Sequence, residues 1–189
     1  MIITISGNPG SGKSTVAKIL VKRLGYERVN AGGIMREMSK ERGITLEELG
    51  KLAKNDFSVD QEIDQRAGEK ARAYQKQGKD VLVEGRIQYH FLPESKKVYV
   101  WVDPKVGAER ILKDLQDKDA AAARNQTIVN SVEEVFKLSE EREEGDASRY
   151  IKFYGTDYRK KENYDFVVDT TQITAEQAAD KVMGYIQKE

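Results

Sequence analysis

The stretch "IITISGNPGSGKSTVAKIL", residues 2–20, decides how the chain is read. A short apolar run breaks into a turn dense in glycine, and a helical apolar stripe of Val16, Ile19, Leu20 and Leu24 begins after Lys13. Gly7-Asn8-Pro9-Gly10-Ser11-Gly12-Lys13-Ser14 satisfies the Gly-x-x-x-x-Gly-Lys-Ser/Thr pattern, and it lies where that pattern needs to lie, between a strand and a helix. The glycines let backbone amides converge on an anion, the helix adds the positive end of its dipole, and Lys13 supplies a mobile cation for terminal phosphates. Ser14 is the expected magnesium ligand, and Thr15 follows it in the first helical turn. Residues 7–15 are therefore the candidate site for a nucleotide's phosphates.

Working outward, 189 residues with 39% hydrophobic content suffice for a single domain with its own core. Lys plus Arg and Asp plus Glu each number 32, so no net charge draws the chain toward nucleic acid or an anionic membrane. Cysteine is absent, which excludes disulfides and thiolate metal sites. No apolar run approaches the roughly 20 residues of a membrane span, and the first run is too short for a secretory segment. The expectation is a cytoplasmic monomer whose partners are small molecules.

Apolar runs at residues 1–6, 28–30, 80–84, 97–102 and 165–169 alternate with longer helical patterns, the arrangement of βαβ units around a parallel sheet. Within these runs the apolar residues are consecutive, as in strands buried on both faces. Capping-box spacing at Thr45 and Glu48, Ser58 and Gln61, Ser131 and Glu134, and Thr174 and Gln177 marks four helix starts. Pro9, Pro93 and Pro104 all fall outside the strands.

Glu84 ends the third run, "VLVEGR", at the carboxyl edge of a buried strand, where open α/β sheets bind ligands. Its carboxylate is placed to hold a magnesium-bound water, and Arg86 faces the same crevice. Farther along, Arg142, Asp146 and Arg149 are spaced by four and then three residues, so they share one face of the helix opened by Ser131. That face lines a phosphate pocket or forms a solvated ladder of charge; spacing alone leaves both open.

The phosphate loop, "NAGGIMRE", "VLVEGR" and "EEREEGDASRYIKFYGTDY" together resemble the compact, archaeal-type cytidylate kinases, members of the P-loop nucleoside monophosphate kinases, in the same order and with similar spacing. The resemblance covers most of the chain. It implies an α/β P-loop kinase fold with a five-stranded parallel sheet of order 2-3-1-4-5, a helical acceptor-binding segment over residues 31–77 and a lid over residues 114–158. It further implies phosphoryl transfer from ATP to CMP or dCMP with Mg2+. On that basis Lys13 and Ser14 hold the donor phosphates and metal, Arg36 and Arg86 bind the acceptor phosphate, Arg142 and Arg149 are lid arginines, and Asp146 lies near the acceptor ribose. The chain departs from the pattern at Gly33, where an acidic residue is usual, and at residues 119–126, which lengthen the approach to the lid.

The remaining candidates carry less. His90 reads as a polar loop residue, Trp101 as core, and Tyr150 and Tyr154 as either a stacking surface or helix packing. Asp60 and Asp64, one turn apart on the helix opened by Ser58, either reach the acceptor or stand as exposed carboxylates, the simpler reading. No side chain can be derived as a reader of cytosine's donor–acceptor edge, so AMP, UMP or a small alcohol stays open as acceptor. An ATP-sensing switch that phosphorylates no small molecule is the alternative of another class.

Overall fold

In a computed structural model of the chain, which describes residues 1–116 and 131–188, five parallel strands make one sheet. The strands β1 (Ile2–Gly7), β2 (Glu27–Asn30), β3 (Val81–Glu84), β4 (Lys96–Trp101) and β5 (Phe166–Asp169) lie in the order β2-β3-β1-β4-β5. That is the expected order. The helices are α1 (Lys13–Leu24), α2 (Ala31–Glu41), α3 (Leu46–Asn55), α4 (Phe57–Lys76), α5 (Gln88–Phe91), α6 (Pro104–Gln116), α7 (Val132–Tyr154) and α8 (Ala175–Ile186). The alanine-rich stretch at 119–126 lies outside the described residues.

Consecutive apolar residues in the strands serve two faces at once. Ile3, Ile5, Leu82, Val98, Val100 and Val168 point to the side covered by α1 and α8 and bury there with Val16, Leu20, Ala179 and Val182. Ile2, Val29, Val81 and Val83 point to the other side and bury against Ile34, Met38, Leu49, Ile63 and Ala67 of α2, α3 and α4. Period-2 alternation splits each run in this way, and helices on both faces remove the exposed apolar surface that a parallel sheet cannot tolerate. A third cluster is aromatic: Tyr89, Tyr99, Tyr150, Tyr158 and Tyr164 bury around the end of α7.

Helix starts follow the sequence with one correction. Thr45 and Thr174 form complete capping boxes with Glu48 and Gln177, and Ser131 Oγ accepts from the backbone N–H of Glu134. Ser58 is not a cap: Asp56 takes that place by accepting from the Ser58 N–H at 2.9 Å, so α4 begins at Phe57. Aspartate competes well for an N-cap because its charged oxygen also meets the helix dipole. Trp101 is only partly buried, with the Lys161 ammonium 4.3 Å above its ring, rather than a core residue. His90 is exposed on α5. No helix among the described residues is long and apolar enough to cross a membrane.

Candidate active site

The phosphate loop between β1 and α1 is shaped by main chain. Gly10 and Gly12 have φ of 74° and 78°, the left-handed region in which a side chain is strained. A Cβ on Gly10 would also collide with the backbone of Gly107 in α6. Asn8 clamps the loop to the end of β4, its Nδ2 donating to Val102 O at 2.8 Å and its Oδ1 accepting from Val102 N at 3.0 Å. Thr170 Oγ1 ties the far side by donating to Ser11 O at 3.0 Å. The Asn8 side chain thus holds the loop in place, and Asn8 can meet a phosphate only through its backbone. Thr15 is exposed in the first turn of α1.

Lys13 Nζ donates to Gly85 O at 3.4 Å. Burial of the ammonium, opposed by Glu84 and reinforced by Arg86, Arg142 and Arg28, pulls its pKa down to about 8. A cation so poorly solvated gains from any phosphate that arrives.

Strand parity places Glu84. In β3 it has the same parity as Leu82, so it points toward α1, and its register partner in β2 is Asn30, two residues after Arg28 on the same face. Ser14 Oγ donates to Glu84 Oε1, and Arg28 Nη2 donates to Glu84 Oε2. Burial works against the carboxylate, but the Lys13 charge and the hydrogen bonds from Ser14 and Arg28 outweigh it and hold the pKa below the usual range. An ionised carboxylate and a hydroxyl in direct contact are donors that suit a hard divalent cation such as magnesium. Among the described residues there is no group of three His, Cys, Asp or Glu able to hold a metal alone. Magnesium needs none, since it takes most of its ligands from phosphates and water.

The second half of the site is built on Asp146. Its Oδ2 lies 2.8 Å from Arg86 Nη2 and its Oδ1 accepts from Arg149 Nη2 at 2.6 Å. Arg142 Nε stands at 4.0 Å with 62% of its side chain exposed, on the rim of the cluster. Arg86 also donates through Nη1 to Tyr158 Oη at 2.7 Å, and its guanidinium lies 5.4 Å from the center of that ring. The face of α7 carrying Arg142, Asp146 and Arg149 therefore turns inward, and the charges of Arg86 and Arg142 are felt at Lys13. Arg36 is exposed on α2 and makes no ion pair with a described residue.

Further residues join the site. Arg28 reads as an ordinary strand residue, although alternation in "ERVN" was enough to put it on the Glu84 face. Asp60 and Asp64 are not exposed as expected: the Asp60 carboxylate lies 3.4 Å from Arg149, and Asp64 is 4% exposed. Their signal was the α4 stripe, because Asp64 shares one helical face with Ala67, Gly68 and Ala71, which are also buried. Tyr150 and Tyr154 pack with Phe57 around the end of α7, with Tyr154 5.2 Å from Phe57 between ring centers.

Comparison with known proteins agrees with this geometry. The model of the "Cytidylate kinase-like family" matches residues 2–172. A cytidylate kinase of Methanocella arvoryzae is 37% identical over 91% of this chain and 89% of its own length. One of Archaeoglobus fulgidus is 34% identical over 99% of this chain and 95% of its own. Among solved structures, shikimate kinase of Acinetobacter baumannii in complex with shikimate superposes with a TM-score of 0.57 at 20% identity, over 98% of this chain and 92% of that one. At that identity it speaks for the fold alone. A phosphate loop facing an arginine cluster, on this sheet order and with these relatives, leads to one assignment: the chain belongs to the cytidylate kinase-like family.

Proposed function

We propose that the protein transfers the γ-phosphoryl group of ATP to CMP or dCMP, releasing ADP and CDP or dCDP. The observation that carries this reading is the convergence of Arg86, Arg149 and Arg142 on Asp146 within electrostatic reach of Lys13. Such a site has two anion-binding ends. A nucleotide-sensing switch requires only the loop, whereas phosphoryl transfer requires a second set of cations for the acceptor.

In-line transfer asks little covalent chemistry of the protein, so positioning and charge stabilization supply most of the rate. The loop amides and Lys13 take the β- and γ-phosphates of the donor. Arg86 takes the acceptor phosphate, and Arg142 and Arg149 on α7 offset the charge that spreads over the transferred group. Asp146 keeps Arg86 and Arg149 converged and is the group placed for the acceptor ribose. Ser14 and Glu84 would hold Mg2+, which supplies charge neutralization between donor phosphates. Residues 31–77 serve as the acceptor segment and 114–158 as the lid, whose closure keeps water from competing as acceptor.

A coupled assay of ADP release with magnesium-ATP against CMP, dCMP, UMP and AMP tests the proposal. Turnover is expected to be highest with CMP or dCMP, and ATP alone is expected to be hydrolysed slowly. Failure of every monophosphate to stimulate ADP release removes it.

A further inference from the structure

Among the described residues, seven buried side-chain atoms have no hydrogen-bond partner, and all seven lie in or beside the site. Ser11 Oγ and Arg28 Nε belong to the phosphate-loop end. Asp60 Oδ2, Asp64 Oδ2, Gln88 Oε1, Arg149 Nε and Tyr154 Oη form the rest, contributed by α4, α5 and the end of α7. Such atoms are costly when they are cut off from water, although Asp60 Oδ2 does have an ion-pair contact with Arg149 at 3.4 Å. Concentrated between three elements, they mark where a polar ligand completes the fold.

Two of these residues have the placement of a base reader. Gln88 is 1% exposed and Asp64 4%, and Gln88 Nε2 donates to Asp64 Oδ1 at 2.6 Å. That bond leaves Gln88 Oε1 and Asp64 Oδ2 as the unpartnered pair. Gln88 is pressed against Gly85, where any Cβ would strike it, and the Gly85 carbonyl is the one that Lys13 Nζ reaches at 3.4 Å. One turn before Asp64, Asp60 contacts Arg149. Through Asp60 the pair adjoins Arg149, and Gln88 follows Arg86 by two residues, so it lies beside the arginine cluster on Asp146.

The groups facing the Asp64 carboxyl fix its state. Burial, and then the charge of Asp60 on the same helix, push its pKa up to about 8 against the hydrogen bond from Gln88 on α5. The phenols of Tyr150 and Tyr154 on α7 face it as well; both are pushed up by burial and by Asp64, so they stay neutral. Arg149 is met through Asp60. At neutral pH Asp64 is an acid with a proton to donate.

We infer that Gln88 and Asp64 read the acceptor's base, Gln88 Oε1 accepting from the 4-amino group of cytosine and Asp64 Oδ2–H donating to ring N3. This rests on the cytidylate reading above and names the residues that give it its base preference. Uracil presents the reverse order at these positions, a 4-oxo acceptor and an N3–H donor, so with the Gln88 amide oriented as here it leaves both protein groups unpaired, and matching it requires the amide to flip and the Asp64 proton to move to Oδ1. Adenine shares cytosine's order and is separated by ring size. Both oxygens are buried, so the elements around them must part to admit the ring.

The test measures kcat/KM for CMP and UMP at saturating ATP in wild type, Gln88→Met and Asp64→Asn, from about pH 6.5 to about 9.5. Gln88→Met is expected to lower the CMP/UMP ratio by roughly 100-fold. In wild type the ratio is expected to fall as pH rises through about 8, because ionized Asp64 loses its donor and can accept from uracil N3–H. Lys13, with a similar pKa, serves the phosphates of ATP, which is common to both reactions, and cancels in the ratio. Asp64→Asn puts an N–H where the acid O–H stood and is expected to abolish that pH dependence; it carries the test if Gln88→Met does not fold. An unchanged ratio in Gln88→Met, a pH-independent ratio in wild type, or a wild-type preference for UMP overturns the assignment. Inactivity of wild type toward every pyrimidine monophosphate overturns the functional reading beneath it, and is a different result from activity with an unaltered preference.

Discussion

The two ends of the site are made of different material. The donor end is one continuous stretch, residues 7–15, held by backbone conformation and by the Asn8 clamp onto Val102. The end proposed for the acceptor is assembled from side chains: Arg86 after β3, Asp60 and Asp64 on α4, Gln88 on α5, Asp146 and Arg149 on α7, and Tyr158 beyond it. A backbone cradle tolerates side-chain change except where it needs glycine or lysine. An ion-pair network does not, because each member holds another in position.

Arg86→Ala is the hardest test of that difference. It removes the group that Asp146 and Tyr158 both hold, and kcat is expected to fall about 1000-fold. KM for ATP should move far less, because no contact in the donor cradle is touched. Arg149→Ala acts in the same direction by about 100-fold. Steady-state kinetics with CMP varied, then ATP varied, separates the two parameters; equal losses in turnover and in ATP binding would erase the distinction between the ends.

Stability probes the donor end from its other side. Gly10→Ala puts a Cβ into the Gly107 backbone at positive φ, and a loss of roughly 2 kcal/mol is expected in urea unfolding. Gly145→Ala on α7 meets open space at a helical position, and a gain of up to about 1 kcal/mol is expected there. Similar losses at both positions would mean that the loop's shape is not what glycine is there to provide.

The pH dependence of ATP use separates the ends electrostatically. Because the Lys13 pKa is about 8 in the free protein, kcat/KM for ATP is expected to fall above that pH, by about tenfold per unit. Bound phosphates raise the pKa again, so kcat at saturating ATP should stay level to higher pH. The sign for folding is the reverse. Since the folded pKa lies below the ordinary lysine value of 10.5, the charged lysine opposes folding fully below about 8, and the penalty is relieved as pH rises toward 10.5. A kcat/KM that is flat through pH 9 would place Lys13 in water rather than in a desolvated cradle.

Legibility in the sequence follows the same division. The strands could be placed within about one residue and the sheet order came with the resemblance, because consecutive apolar runs and a local motif are written contiguously. For the acceptor end, spacing on α7 put Arg142, Asp146 and Arg149 on one face but could not say which way the face turned; the tertiary contact with Arg86 decides it. Asp60 and Asp64 looked like solvated carboxylates because local reasoning prices a charge against water. It does not foresee an arginine from α7 beside the first, or a buried glutamine beside the second. Ser58 was misread as a cap for a simpler reason: Asp56, two residues earlier, is as good a cap.

The smallest expected effect is the most discriminating. Tyr158 is fully buried, and its hydroxyl accepts from Arg86 Nη1 at 2.7 Å while Tyr164 Oη donates to its backbone carbonyl at 2.6 Å. Tyr158→Phe keeps the ring, the packing and the Tyr164 bond, and deletes only the hold on the guanidinium. A loss of about 1 kcal/mol, or five- to tenfold in kcat, is expected, with Asp146 still gripping the other side of Arg86. Combined with Asp146→Asn, the loss should exceed the sum of the single losses, since both residues orient the same side chain and each covers in part for the other. Additive losses in the double variant would mean that Tyr158 and Asp146 act on separate steps, and Arg86 would then be held by one of them alone.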